Sequence, residues 1–565
     1  MTQYKILTGL ALMLCPLTLA AQSETTALQL THAYEPQGSA RYAALSGAMG
    51  AIGSDPASIA RNPAGISLFS GANRLSLTYG YDWSVNKGSW YGGSESKMEN
   101  SAFRFKELYY QMGAKGGSNF SVVLAARNAG RFDRSFSGYA SGIAANYRRS
   151  EGTSSFDNSL ADYAAAGVNN LQYDQNGQLI PDATLASRNA FSNGYPWLSI
   201  FGVQAGWIKS PNGRGGLYSN NYLDGSGRIM RPSAAYLTLH ETGAITDYDL
   251  AVALRATETL RFGASFTYTD MSYNLSSSYR EDFEGGDYLG LQNRVSISSG
   301  GFRVGLGLLY EPFDGLRVGA SLYTPSFMYT NIDASPTVTP RKDDRNQTPL
   351  VGPATAATAF RLHTPWRVGA SAAYIIGHRA ILSADYECAF YGSMRLGETG
   401  RSDMWDTGSR YDADNERIAA HYTGVHTLRL GAELMATQRL ALRAGYRYSS
   451  SPVKSGVVSE GYAQGEVFVP GTQVHYTLPG ALNSFSLGAG YRITPDLSLD
   501  LAFVSQQRTN QVFAFPFVRD YGPVLNRRDP DVQSGKVQPE NLLGLKGAQE
   551  SLRQQEVLLS LTYRF

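Results

Sequence analysis

Cysteine is almost absent from this 565-residue chain: Cys15 and Cys388 are the two it has. Charge is sparse as well, at 17% of residues against about 25% in an average soluble protein. Past residue 20 no apolar run approaches the ~18 residues that a membrane-crossing helix needs. Each scarcity excludes something. A disulfide framework and a cysteine metal site cannot be built. A net charge of +2 provides no footing for nucleic acid. A membrane protein made of helices is ruled out beyond the N-terminus. Glycine (60) and tyrosine (36) are abundant instead, as strands, turns and wet interfaces require.

The N-terminus has the form of an export signal. Lys5 precedes the apolar run ILTGLALMLCPLTLA, and Thr18-Leu19-Ala20 places small residues at the cleavage positions, so residues 1–20 are expected to be a signal peptide. Leu14 is too bulky for lipoprotein processing at Cys15. The exported chain is then periplasmic, extracellular, or spans a membrane by strands.

One short pattern keeps returning: LRFGASFTY (260–268), LRVGASLYT (316–324), WRVGASAAY (366–374), LRLGAELMA (428–436), LALRAGYRY (440–448) and FSLGAGYRI (485–493). In the first, Leu260, Phe262, Ala264, Phe266 and Tyr268 share one face, and Arg261, Gly263, Ser265 and Thr267 share the other. Strands of about ten residues with one apolar face and aromatics at its ends are the mark of an outer-membrane barrel. Six very short turns separate strand pairs, at 115–117, 256–258, 311–315, 376–378, 436–438 and 494–496. Seven longer connections lie near 84–103, 128–235, 276–290, 331–363, 392–423, 451–481 and 509–551. Thirteen connections make fourteen strands, running from about Asn73 to Phe565. Short turns on the periplasmic side and long extracellular loops put both termini in the periplasm. The closing EVLLSLTYRF (556–565) alternates to a terminal phenylalanine, resembling the signal by which the barrel-assembly machinery recognises its clients. A secreted sandwich would alternate too, with its stripes turned inward.

Residues 21–72 do not alternate. ARYAALSGAMGAIGSDPASIARNPAGISLF (40–69) is rich in small residues, with Asp55-Pro56 and Asn62-Pro63 as turn or helix-start signals. A fourteen-stranded barrel leaves a bore unless something fills it, and this segment is the size of a plug. SDPASIARNPAG, with Asn62, Pro63, Ala64 and Gly65 ahead of the first strand, resembles the N-terminal hatch of the FadL/TodX family of outer-membrane transporters. GLGLLYEPFDGLRVGASLYTP (305–325), HTLRLGAELMATQRLALRAGYRYSSSP (426–452) and NSFSLGAGYRITPDLSLDLAF (483–503) look like that family's strand–turn–strand units, in the style of the Bacteroidetes versions. The resemblance implies a 14-stranded antiparallel transmembrane β-barrel (73–565) plugged by a hatch (21–72), in the outer membrane of a Gram-negative cell. It implies passive uptake of a hydrophobic small molecule, of long-chain fatty acid or aromatic hydrocarbon type, which leaves sideways at a kink in the third strand. Here the third strand, 118–128, has neither proline nor internal glycine to mark one.

Among the inward arginines, Arg261, Arg317, Arg367 and Arg429 are the candidate contacts for an acidic head group, and Arg443 and Arg447 share their face. A charge there costs little, against a few kcal/mol on the lipid face. Trp90, Tyr91, Tyr195, Trp197 and Trp207 are expected to form an outer capture surface. The seven histidines invite a haemin-receptor reading, but His421 and His426 are five apart, and His240 stands beside Glu241 without a second ligand. No metal or cofactor is expected, and no catalytic constellation is present. The other competing reading is a non-transporting barrel that serves as scaffold for an outer-membrane protein partner. Lipid is the partner common to every reading.

Overall fold

The computed structural model describes residues 23–35, 38–69, 73–90, 92–112, 119–143, 155–169, 185–190, 196–210, 218–227, 229–342, 349–351, 358–377, 379–401, 403–459, 462–463, 473–516, 518–520 and 541–565. Residues 1–20 and the turn at 115–117 lie outside them. Fourteen antiparallel strands form the wall: β1 (Arg74–Ser89), β2 (Ser96–Met112), β3 (Phe120–Arg131, continued by Arg134–Ser141), β4 (Pro232–Arg255), β5 (Leu260–Phe283), β6 (Tyr288–Phe313) and β7 (Leu316–Tyr323, continued by Phe327–Thr339). The second half holds β8 (Thr358–His363 with Trp366–Ile376), β9 (Ala380–Phe390), β10 (Gly424–Met435), β11 (Leu440–Ser449), β12 (Tyr476–Arg492), β13 (Leu497–Phe513) and β14 (Ala548–Arg564). Each pairs with its neighbour in sequence, and β14 returns to pair with β1 from Gln549↔Ser89 to Arg564↔Arg74. Among the described residues the first and last strands pair with each other, so the sheet has no free terminal edge.

The direction of the stripes decides between lipid and core. On β1, Leu75, Leu77, Tyr79 and Tyr81 are between 39 and 46% exposed, while Ser76, Thr78 and Asp82 between them are buried. On β14, Leu559, Leu561, Tyr563 and Phe565 are outside, and Ser560 faces in. A soluble sandwich would reverse this. The apolar side is the exterior, as in a barrel that sits in lipid.

Several connections are shorter than their sequence suggests. The stretch 84–103 is mostly ladder, with β1 and β2 joined across 90–95, and 276–290 is a turn of four residues between β5 and β6. Both strands of each pair continue past the lipid band, where Asn86, Lys87, Lys97 and Glu99 pair through backbone without an apolar face. Lipid contact demands the stripe; the ladder does not. β4, β5 and β6, at 24, 24 and 26 residues, are more than twice the ~10 residues that cross a bilayer. Their long-loop ends support a cap made from the 142–231 region and other loops. Two helices, α3 (Leu160–Asn169) and α4 (Trp197–Gln204), pack there with Trp90, Phe136, Trp207, Tyr222 and Phe515. The Glu281 carboxylate fixes α3 by accepting from Leu160 N (2.8 Å), Ser159 Oγ (2.5 Å) and Tyr279 Oη (2.6 Å).

The N-terminal segment fills the bore. Asn73 and Phe565 exchange backbone bonds (2.9 and 3.1 Å) at the short-turn end, which fixes where the chain leaves the lumen. Two helices, α1 (Glu24–His32) and α2 (Ala40–Ala44), and two 3-10 turns, Pro56–Ala60 and Pro63–Leu68, precede it inside the barrel. The turns lie near the short-turn end. By contrast α1 reaches the other half, where Ala27, Leu28 and Leu30 pack with Tyr273, Leu275, Val295, Phe360 and Ile418. Ser23, the first described residue, is therefore in the lumen and not at the short-turn mouth.

Candidate functional site

Asn62-Pro63-Ala64-Gly65 are seated on bare backbone. Asn62 caps its 3-10 turn, accepting from Ala64 N at 3.0 Å, and its Nδ2 donates to Gly50 O (3.0 Å) and to Leu308 O of β6 (2.9 Å). A Cβ on Gly307 would stand closer than 3.0 Å to Asn62 Oδ1, Pro63 Cδ and Ala64 N; one on Gly263 would meet Ala64 and Pro63 as closely. Gly319 and Gly445 are crowded in the same way by Asn62 and by Leu45-Ser46. The inward glycine of three copies of the recurring strand pattern (Gly263, Gly319 and Gly445), together with Gly307, is the socket for the N-terminal segment. Residue spacing showed that glycine but gave no hint of what rests on it, because the contact joins positions hundreds of residues apart.

Above that floor two cavities lie beneath α1. The first, about 110 Å³, is lined by the apolar side chains of Leu30, Ile245, Met271, Met328, Val425 and Leu482 and by Arg61, Arg303, Arg367, Arg429, Arg447 and Arg508. Glu35 and Glu387 are the carboxylates in its lining. Glu387 takes Arg61 (3.0 Å), Arg429 (3.1 Å) and Arg367 (3.6 Å); Glu35 takes Arg447 at 2.6 Å. Burial raises the Glu35 carboxyl, but Arg447 and Arg508 outweigh it and hold it below its usual range. Buried donors are left over: Arg429 Nε and Nη1, Arg367 Nη2, Arg447 Nε and Arg508 Nε have no hydrogen-bond partner. Such groups ordinarily find one, so the cavity retains capacity for an anion. Arg367 and Arg429 thus meet here, whereas Arg261 and Arg317 lie at the short-turn end against Glu311 (3.7 and 3.2 Å). Arg303 carries the familiar R-x-G signature in FRVG (302–305) and was findable. Arg508, in QQRTNQ, has no apolar stripe around it to assign its face.

The second cavity, about 140 Å³, shares His32, Glu35, Leu482 and Arg508 with the first and extends to Gly130, Arg131, Phe132 and Asp133. Those residues are where β3 breaks. Its register against β4 shifts between Asn128 and Gly130, and the strand interrupts at 132–133, just beyond the stretch whose sequence lacked a kink signal. The β2–β3 ladder ends at Glu107↔Arg127. Past that point side chains make the junction: Asn100 Nδ2 donates to Ser135 Oγ (3.0 Å) and Arg104 pairs with Asp133 (2.7 Å). The N-terminal segment covers the break from within, through a Tyr34↔Gly130 bridge and a Glu35 N to Ala129 O bond of 2.6 Å. Beside it Lys106, turned inward by a bulge in β2, binds Asp82 (2.8 Å) and Glu556, and Arg131 (2.5 Å) and Arg104 (3.4 Å) add two more cations to Asp82.

The remaining expected residues scatter. Trp90 and Trp207 are 2 and 0% exposed and donate to Lys546 O and Thr339 O, so they are cap core and not a capture surface; Trp197 is partly buried against that core. Tyr91 and Tyr195 lie outside the described residues. His421, on helix α5 (Asp412–His421), contacts Glu24 (3.2 Å), His426 pairs with outward Tyr386 (2.6 Å), and His240 pairs with Ser135 (2.8 Å). These three do not converge on a common centre. His32 has no partner on either ring nitrogen; burial, then the Arg508 charge, holds it well below its usual pKa range.

No family model matches the chain, and no curated protein does. Among solved structures, a FadL homologue of Pseudomonas aeruginosa overlaps 94% of this chain and 99% of its own at 12% identity, with a TM-score of 0.49. The toluene transporter TodX of P. putida overlaps 95% and 99% at 12% identity (TM-score 0.47), and the toluene transporter TbuX of Ralstonia pickettii 95% and 99% at 13% identity (TM-score 0.45). Nothing about residues or cargo transfers at such identities, and the strand count rests on the ladder of this chain. Over nearly its whole length, the chain is similar to the solved structures of a FadL homologue and of two toluene transporters.

Proposed function

We propose that this chain is an outer-membrane transport protein that takes up a hydrophobic small molecule bearing an acidic group, without an energy source of its own. The observation that carries the reading is the first cavity, whose lining combines apolar side chains with unpartnered guanidinium donors. A carboxylate there would satisfy buried N–H groups that otherwise cost roughly 1–3 kcal/mol each. Each cavity is close to the ~150 Å³ that holds one benzene in an engineered protein core. An aromatic or longer-chain acid is larger than either cavity alone and would span both, with the His32–Glu35–Arg508 partition moved aside.

The route follows the same residues. Short turns would face the periplasm, the cap and long loops the exterior, and residues 21–72 would act as the hatch. Cargo passes from the first cavity to the second and leaves sideways where β2 and β3 lose their ladder, once Tyr34 and Glu35 release Gly130 and Ala129. Asn62-Pro63-Ala64-Gly65 hold the hatch down, and Arg367 and Arg429 hold the head group. Native mass spectrometry of protein purified in mild detergent tests this: a co-purified acidic amphiphile, lost in Arg367→Ala/Arg429→Ala, is expected. A stoichiometric protein partner with no amphiphile would overturn it in favour of a scaffold.

A further inference from the structure

We propose that residues 403–406 form a membrane-anchoring loop whose Met404 and Trp405 enter the lipid leaflet on the long-loop side. The inference is independent of what the barrel carries. Met404 and Trp405 are 42 and 53% exposed, although they belong to a long polar connection. The loop is folded back onto the outside of the wall. Trp405 stacks on Trp366 (6.1 Å between ring centres, 9° between planes) and stands edge-on to Phe327 (4.7 Å, 89°), with His363 at 6.3 Å. Phe327, His363 and Trp366 all point outward from β7 and β8.

One side chain holds this conformation. Arg361, also outward, donates to the carbonyl oxygens of Glu398 (2.7 Å), Asp403 (2.9 Å) and Asp406. Asp403 Oδ1 accepts from Trp405 N at 2.9 Å and fixes the indole's approach. Height agrees with the lipid assignment. Trp366 opens the eleven-residue segment Trp366–Ile376. At about 3.3 Å per residue and a ~45° tilt, that segment rises about 25 Å from the short turn, the full height of a barrel's apolar band. Trp366 and Trp405 therefore meet at the upper edge, where amphipathic rings settle. The patch is continuous with exposed Tyr329, Tyr386 and Phe390 on the same outer face. That lipid-facing continuity selects acyl chains over a protein as the occupant.

The test is a nitroxide at position 404 or, separately, 405, in a chain with Cys15→Ser and Cys388→Ser, reconstituted in phosphatidylethanolamine/phosphatidylglycerol vesicles. The label at 404 leaves Trp405 in place, so the pair guards against one label displacing the loop. Position 322 on the lipid face and position 257 in a short turn are the references. Both loop labels are expected to be more accessible to oxygen than to a water-soluble nickel chelate, as at 322. Preferential access by the chelate, as at 257, overturns the proposal. So does shielding from both reagents, which would mean a protein contact.

Discussion

Alanine at Gly307 and Gly263 is the sharpest test of how the N-terminal segment is held. At Gly307 the new methyl would meet Asn62 Oδ1, the Pro63 ring and Ala64 N closer than 3.0 Å; the ring and the backbone nitrogen cannot rotate away, and Asn62 Oδ1 would have to give up its cap bond from Ala64 N (3.0 Å). The Asn62 turn would have to lift, loosening its bonds to Leu308 O (2.9 Å) and Gly50 O (3.0 Å). Overpacking of this kind costs about 1–3 kcal/mol, and each bond lost about 1 kcal/mol more. At ~1.4 kcal/mol per tenfold, the undocked population rises roughly 5- to 150-fold for the clash alone. Gly369 is the control, since a Cβ there meets only the Ser321 hydroxyl closer than 3.0 Å, and that side chain can turn. The assay is tryptic release of peptide 42–61 from barrels that keep their heat-modifiable gel mobility. Arg61 is buried and Arg41 is tied to Glu433 (2.8 Å), so release requires undocking. Faster release from Gly307→Ala and Gly263→Ala, with Gly369→Ala unchanged, is expected. Equal release from all three would refute the socket.

Two further outcomes follow from the luminal helix. His32 is neutral while α1 is docked, because its pKa lies below the usual ~6.5, so docking is at full strength above that pH and weakens as pH falls below it, by up to about 1.4 kcal/mol per unit. Amide-exchange protection factors of residues 24–32 should fall by up to about tenfold per unit below pH 6.5, with a smaller fall in His32→Gln; equal falls in both would contradict the assignment. Glu24, whose carboxyl is raised by burial despite His421 and Arg417, joins α1 to α5 through Arg417 (3.3 Å) and His421 (3.2 Å). Glu24→Gln should reduce protection of residues 412–421 and 24–32 together, at a cost of about 1.5–3 kcal/mol for the charged bonds; loss confined to 24–32 would show that the contact couples nothing.

The barrel was legible because lipid imposes a period of two on every strand it touches, and Leu260 to Tyr268 or Trp366 to Tyr374 display it without help from the rest of the chain. Strand lengths were not, since the ladder continues through Lys87 and Ser276–Phe283 beyond the apolar band, where the outer face is free to be polar. Arg367 and Arg429 were assigned to the correct face by parity alone. Their difference from Arg261 and Arg317 depends on height in the bore and on whether Glu311 or the first cavity faces them. Trp90 and Trp207 misled because a tryptophan in a long polar loop has no local mark that distinguishes cap core from surface. The β3 break at Phe132-Asp133 was hidden for a different reason: it lies beyond 118–128, next to Ala129 and Gly130, where Tyr34 and Glu35 pair from inside across about a hundred residues of sequence.

Stapling the β2–β3 junction tests the central claim most directly. Asn100 and Ser135 already touch across it (3.0 Å), so Asn100→Cys/Ser135→Cys would join the two strands past the last ladder pair. Uptake of radiolabelled oleate and of labelled phenylacetate would be followed in cells that express the stapled barrel, with the cross-link verified on a non-reducing gel. Loss of uptake when oxidised and recovery on reduction is the predicted result for whichever acid the wild-type chain carries. Undiminished uptake through the oxidised, stapled wall would contradict it.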